Sequence, residues 1–317
     1  MKLPEEITRD IHCLKCDQIL TRVGEHLVCQ NPNCKYEYPV VDGIPILIND
    51  EFCVFNRSDF VEHRVTTFDH KKAKIYSTIK KLVPSISNNV LAAKNYKKFS
   101  SLLLEFESDP KVLVIGGSIL GKGMEAILAK SKITLIESDI SFGPRTQIIF
   151  DAHNIPFPNE FFDGVIIQAV LEHVVDPYRC VEEIHRVLKK NGIVYAETPF
   201  MQQVHMGRFD FHRFTYLGHR RLFRNFNEIE SGAVCGPGMA LAWAYSYFIF
   251  SFTHSKKLRK YLIPFANFSS FFLKYFDYLL INRPGTLDAA SGYYFMGNKS
   301  ENTLSDRDLI KLYKGLL

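Results

Sequence analysis

The chain lacks any apolar run of the length a membrane-spanning helix needs, about 20 residues. Its richest stretch, residues 239–253 (MALAWAYSYFIFSFT), is too short, and the basic cluster Lys256, Lys257, Arg259 and Lys260 follows it directly. No transmembrane span is expected. The opening MKLPEEITRD has no apolar core of the kind a secretory signal carries, so a cytoplasmic location is the expectation. Charge of one sign is also scarce. A net charge of +5, with 23% of residues charged, allows an anionic partner such as RNA or a phospholipid surface without demanding one. Seven cysteines, an odd number, argue against a disulfide framework in a reducing compartment and turn attention to metal binding. A nucleotide-hydrolysing loop is incomplete as well. Gly116 to Lys122 fits G-x4-G-K, but Gly123 stands where such a loop needs Ser or Thr to hold Mg²⁺.

What is present begins with those cysteines. Cys13-x2-Cys16 and Cys29-x4-Cys34, twelve residues apart, have the spacing of two knuckles presenting four thiolates, a soft tetrahedral set suited to a structural Zn²⁺. So short and apolar-poor a segment needs such an ion to fold. Cys53, Cys180 and Cys235 have no partner spacing and read as buried packing residues. With 46% hydrophobic residues over 317, the chain holds one substantial core plus a small appendage.

Residues 150–200 organise the rest. Gly164 to Ile167 is a short apolar run of the kind expected for a strand covered on both faces. A helix follows, with Asp176 as N-cap, Pro177 at its first position, and Tyr178, Val181, Ile184, Val187 and Leu188 on one face. Lys189 and Lys190 suit its negative end, Asn191-Gly192 predicts a left-handed C-cap, and Ile193 to Thr198 resumes as strand. Strand, crossover helix and strand make a parallel βαβ unit, whose carboxyl ends are where open α/β sheets bind ligands. Upstream, the strand Lys111 to Ile115 runs into Gly116-Gly117-Ser118, and a second strand, Ile133 to Ile136, leads to Glu137-Ser138-Asp139. Residues 50–108 show helical periodicity in KKAKIYSTIKKLV and YKKFSSLLLEF, read as two helices that cover the sheet or lid the site.

Three strings in this region carry a resemblance: Asp151-Ala152-His153-Asn154-Ile155-Pro156-Phe157, Phe162-Asp163-Gly164-Val165 and Leu171-Glu172-His173-Val174. They resemble the class I S-adenosylmethionine-dependent methyltransferases, in the type 11-like branch. The resemblance implies a Rossmann-like, doubly wound, mostly parallel α/β sheet. It also implies a cofactor site in which the loop Gly116, Gly117 and Ser118 wraps the methionine part. Asp139, with Glu137 in reserve, would take the ribose hydroxyls, and Asp151 would take the adenine amino group beside Ala152. Gln168, after the next strand, completes the set. Val114 stands where the family often has an acidic residue. YPVVDGIPILI, after the cysteines, is similar to the tail of zinc-ribbon modules fused to, or activating, methyltransferases.

The loop beyond Thr198 leaves a strand's carboxyl end and gathers His205, Asp210, His212 and Arg213. His205 or His212 is a candidate general base, oriented by Asp210; a structural polar network is the competing reading. Residues 239–253 and 266–281 read as core helices or a pocket cap, ahead of an interfacial pair meeting membrane. Ser291 to Gly297 reads as a final strand, suiting the antiparallel edge of the fold. The expected division is 1–50 zinc-ribbon module, 51–108 helical linker or lid, 109–300 Rossmann-like domain with an aromatic insertion at 239–281, and 301–317 tail. The function expected is methyl transfer to O or N of a small-molecule, glycan or lipid-linked acceptor. RNA methylation and a non-catalytic zinc-ribbon adaptor are the alternatives.

Overall fold

The computed structural model describes residues 3–67 and 83–316. One sheet of eleven strands runs through them. Its strands are β1 (Leu20–Val23), β2 (His26–Cys29), β3 (Glu37–Val41), β4 (Ile44–Leu47), β5 (Lys111–Ile115), β6 (Thr134–Asp139), β7 (Ile148–Phe150), β8 (Phe162–Gln168), β9 (Leu188–Pro199), β10 (Phe226–Cys235) and β11 (Gly292–Lys299). Their spatial order is β1-β2-β3-β4-β7-β6-β5-β8-β9-β11-β10. From β4 to β9 neighbours are parallel, and β11 lies antiparallel between β9 and β10. The chain builds outward from β5 through β6 to β7, then returns to the other side of β5 for β8. That reversal places a crevice at the carboxyl ends of β5 and β8.

The central strands are apolar on both faces because both are covered. Val112, Leu113, Val165 and Ile166 are fully buried. On one face the helix Ala92–Phe106 sets Tyr96, Phe99 and Leu103 against Val112, Ile166 and Tyr195. On the other, the helix Pro177–Val187 sets Val181, Ile184 and Val187 against Leu113 and Val165, within a core that continues into Ile7, Leu20 and Tyr38 of the N-terminal segment. Asp176 caps that helix as expected, its carboxylate accepting the Arg179 N–H at 3.1 Å. The helix read at 71–83 lies outside the described residues.

The N-terminal strands join the sheet edge. β4 pairs in parallel with β7, Ile46 opposite Ile149 and Leu47 opposite Phe150. Asp17 and Lys35, each directly after the second cysteine of its pair, have φ of 58° and 46°. These left-handed residues turn the chain sharply enough to aim all four thiols inward. Cys13 and Cys34 sulfurs are 3.8 Å apart and Cys16 and Cys29 sulfurs 3.4 Å apart. A tetrahedron with Zn–S bonds of about 2.3 Å has edges of about 3.8 Å, so the four thiols fit a zinc ion.

Four expectations need correction. Asn191-Gly192 does not cap the helix: it ends at Val187, Leu188 is already extended, and Gly192 is absent from the positive-φ residues. Lys189 pairs with Asp163 of β8 at 2.7 Å, which starts the strand early, and glycine at 192 lets the chain pass Leu188, whose Cδ2 would lie 2.8 Å from a Cβ there. Tyr178, placed on the helix's buried face, is exposed beside Arg221. Of the aromatic segment only the first helix, Pro237–Phe250, packs into the core, through Met239, Ala240 and Ala242. The helix Lys256–Ser270 buries only Ala266 and Ser270, leaving Tyr261, Phe265 and Phe268 exposed. Cys53 is half-buried rather than packed away, and lines the cavity described next. Among the described residues no helix is long and apolar enough to cross a membrane.

Candidate active site

A cavity of about 980 Å³ opens at the sheet reversal. Loops following β5, β6, β7 and β8 form it, with Glu197 of β9, residues from Asn49 to Phe55 and residues from His205 to Phe209 closing its sides. That size and placement suit a cofactor and a small acceptor together.

On the β5–β7 side the two carboxylates that line the cavity, Asp139 and Asp151, are tied to backbone. The β5 loop turns at Gly116, whose φ is 80° and where a Cβ would strike Val170 at 2.3 Å. Asp139 accepts the Ser118 N–H at 3.1 Å, and the Ser141 N–H and hydroxyl at 2.9 and 2.8 Å, so it locks the glycine loop to the end of β6. Asp151 accepts the His153 N–H at 3.0 Å and faces its Nδ1. Burial alone would raise the Asp151 carboxyl, but these bonds hold it below its usual range. Gly116, Ser118, Asp139, Asp151, Ala152 and Gln168 all line the cavity. Gly117 and Glu137 do not. Gly117 donates its N–H to the Ser138 carbonyl at 2.8 Å. Glu137, proposed as a reserve for the ribose, is 2% exposed and bonded to Arg145 at 2.7–2.8 Å. Its carboxylate is committed to that arginine.

On the β8–β9 side, acidic and imidazole groups crowd together. Glu197, 4% exposed, accepts from Tyr195 Oη at 2.6 Å, Gln168 Nε2 at 2.8 Å and Asn89 Nδ2 at 2.9 Å. Burial still raises its pKa. Glu172 is 0% exposed and neither of its oxygens has a partner; burial pushes it up to about 8. Next to it stand His173 and His205, whose Nε2 atoms are 3.1 Å apart. Burial lowers both imidazoles, His173 to about 4, where the adjacent His205 adds to the effect. Asp210 accepts the His205 backbone N–H at 2.8 Å and is clamped by Arg213. Burial would raise its carboxyl, yet the arginine holds it far below the usual range. Asp210 thus fixes the loop carrying His205; the ring itself sits nearer the Gln203 carbonyl, at 3.2 Å.

His212 does not join this group. Its ring stacks on Phe214, its Nε2 faces the Val175 carbonyl at 3.2 Å, and it lines a separate shallow depression with Asp210. Of the two candidate bases, only His205 lines the large cavity. Sequence reading assigned no role to Glu172, His173, Glu197 or Asn89. The signal was there for Glu197, an acidic residue inside the largely apolar run Ile193 to Pro199, and for Glu172-His173, whose string carried the resemblance without a role for either side chain.

The strand order, the reversal at β5 and the cavity built from strand-end loops define a class of fold, the Rossmann-like, doubly wound and mostly parallel α/β domain. More particularly, the family model for a methyltransferase domain matches residues 126–196, a stretch that contains Asp139, Asp151, Gln168 and the Glu172-His173 pair. Curated relatives include the ubiquinone/menaquinone biosynthesis C-methyltransferase UbiE of Coxiella burnetii, 41% identical over 44 residues. The alignment covers 14% of this chain and only 18% of that relative's length. Among solved structures, phosphoethanolamine N-methyltransferase 2 of Haemonchus contortus in complex with S-adenosyl-L-methionine covers 89% of this chain and 71% of its own, at 14% identity and a TM-score of 0.45. The complex between the Haloferax volcanii Trm112 methyltransferase activator and a methyltransferase covers 69% of this chain and 99% of its own, at 16% identity and a TM-score of 0.41.

Proposed function

We propose that this chain transfers a methyl group from S-adenosylmethionine to an oxygen or nitrogen of an acceptor. The observation that carries the reading is the two-sided cavity, with acceptors Asp139 and Asp151 on the β6 and β7 side and the His173 and His205 rings opposite. The donor supplies an already activated methyl group, so the protein's work is alignment and exclusion of water. Gly116 and the Ser118 backbone would pass close to the methionine part, Asp139 would accept from ribose hydroxyls, and Asp151 from the adenine amino group beside Ala152. Glu197, with Gln168 at its side, would supply near the glycine loop the negative charge that Val114 does not. His205 would contact the acceptor and take the proton of its nucleophile. His212 and Asp210 have supporting places in the loop.

The N-terminal residues 1–50 would form a zinc-ribbon module whose strand β4 extends the sheet. Residues 51–108 would be a linker, 109–300 the methyltransferase domain and 301–317 a tail. An amphiphilic, lipid-linked acceptor is favoured among the classes the cavity admits. Phe248, Phe252, Tyr261, Phe265, Phe268 and Phe272 are exposed beside Lys256, Lys257, Arg259 and Lys260, a combination suited to peripheral contact with an anionic surface. RNA has less support: Lys98, on the lysine-rich face of the helix Ala92–Phe106, is paired with Glu230. Screening glycan, lipid-linked and RNA acceptors with labelled S-adenosylmethionine tests the reading. Label transfer to any of them supports it; label transfer to RNA alone overturns the acceptor class. A protein that binds no donor is the non-catalytic adaptor.

A further inference from the structure

Glu172, His173 and His205 place one ligand atom each within 4.8 Å of one another at the cavity wall. Glu172 is fully buried with both oxygens unpartnered, an arrangement costly enough to need an explanation. The two imidazoles sharpen it. His173 Nδ1 faces the Phe209 carbonyl at 2.8 Å. His205 Nδ1 faces the Gln203 carbonyl at 3.2 Å, nearer than the Arg213 guanidinium at 3.5 Å. A carbonyl only accepts, so each Nδ1 carries the proton and each Nε2 presents a lone pair. Those two lone pairs meet at 3.1 Å, and the Glu172 carboxylate lies 3.7 Å from one and 3.9 Å from the other. Three ligand-bearing side chains converge, with no hydrogen bond from Glu172 to either ring.

We propose that these three side chains form a binding site for one divalent first-row metal ion, separate from the four-cysteine site. Ligands about 2.1 Å from an ion stand about 3.0 Å apart at right angles and about 3.4 Å apart at tetrahedral angles, so the observed spacings need adjustments of only tenths of an ångström. Imidazole with carboxylate suits ions such as Zn²⁺, Mn²⁺ or Fe²⁺. The carbonyls behind both rings supply the outer bonds that metal-bound histidines keep. Two imidazoles and one carboxylate leave coordination positions open, and because both rings line the cavity, an oxygen ligand entering from it reaches the ion. This deepens the proposed methyl transfer on one point: an acceptor oxygen would be held by the ion, with His205 as ligand in place of proton acceptor. The site itself needs neither donor nor acceptor.

Cobalt(II) is the probe, added to full-length protein whose cysteine site is loaded with zinc, followed by desalting and elemental analysis. Wild type retains one cobalt per chain beyond its zinc, with weak visible absorption typical of nitrogen and oxygen ligands. His205→Ala and Glu172→Gln each weaken cobalt retention at least tenfold with zinc content unchanged. His205 lies on an exposed loop, so its variant keeps the test decisive where the Glu172 variant fails to fold. No cobalt retained by wild type, cobalt found only in place of zinc with intense thiolate absorption, or retention by folded His205→Ala equal to wild type would each overturn the proposal. The first two would assign the three groups to a shared proton. Because no methyl donor is present, the result stands apart from any failure of the methyltransferase reading.

Discussion

The two walls of the cavity satisfy their carboxylates differently. On the β6 and β7 wall, Asp139 and Asp151 each accept backbone N–H groups from residues two positions along, and Asp139 also fixes Ser118. On the β8 wall, Glu172 is more enclosed than either yet has no donor at all. One wall has its acceptors satisfied within the chain, and the other leaves Glu172 unsatisfied, the feature on which the proposed metal site rests. Preorganisation of this kind would lower the cost of holding the proposed methyl donor. The unfinished wall is where the reaction's variable component, the acceptor, would be recognised.

The comparison breaks most visibly if the N-terminal segment is disturbed, since Leu14 and residues Asn49 to Phe55 contribute to the cavity. Cys13→Ser should reduce zinc from one per chain to near zero by elemental analysis. The melting temperature should fall by roughly 10 °C or more, at about 2–4 °C per kcal/mol for chains of this size, and cofactor affinity should fall with it. Unchanged melting would show that the segment folds without metal. Next in size, His205→Ala should lower turnover by about 10² to 10⁴ while leaving cofactor affinity nearly unchanged. His212→Ala should leave turnover within a fewfold, because its ring faces the other depression. Equal losses from both would erase the distinction between them.

The completed wall predicts smaller, purely binding effects. Asp139→Ala and Asp151→Ala should each weaken cofactor binding by about 1–3 kcal/mol, with Asp139 at the upper end because Ser118 and Ser141 lose their acceptor as well. The remaining effect is one of pH. His219, 2% exposed with its Nε2 unpartnered, is held down to about 3 by burial, with the Arg220 charge adding to it. The unfolded chain takes up a proton near pH 6.5 that the folded chain refuses. Stability should therefore be full above about pH 6.5 and decline from there towards pH 3, by up to ~1.4 kcal/mol per pH unit. His219→Phe should flatten that slope in denaturant titrations; an unchanged slope would assign it to other groups.

Much of this was legible along the chain because it is local. Asp176-Pro177 with the apolar spacing of Val181, Ile184 and Val187 sets the crossover helix, and four cysteines in two pairs set the knuckles. The Gly116 loop and Asp151, singled out through short motifs, do line the cavity. What could not be read depends on contacts far apart in sequence. The β4 pairing with β7 joins Ile46 to Ile149, and nothing in either run names the other. Glu172 gives no sign in sequence that it will be fully enclosed, because it stands in a turn after β8, and acids in turns are commonly at the surface. Between His205 and His212 the loop has no periodicity, so which ring faces the cavity is decided by Asp210 and Arg213 gripping the backbone. For residues 239–281, apolarity alone cannot separate a buried helix from one presenting its aromatics outward.

Calorimetric titration of the full-length protein with S-adenosylmethionine tests the central claim most directly. The account predicts saturable binding near one donor per chain, weakened in Asp139→Ala and in Asp151→Ala but retained in His205→Ala. No heat of binding at millimolar donor, from protein that is folded and zinc-loaded, would contradict it.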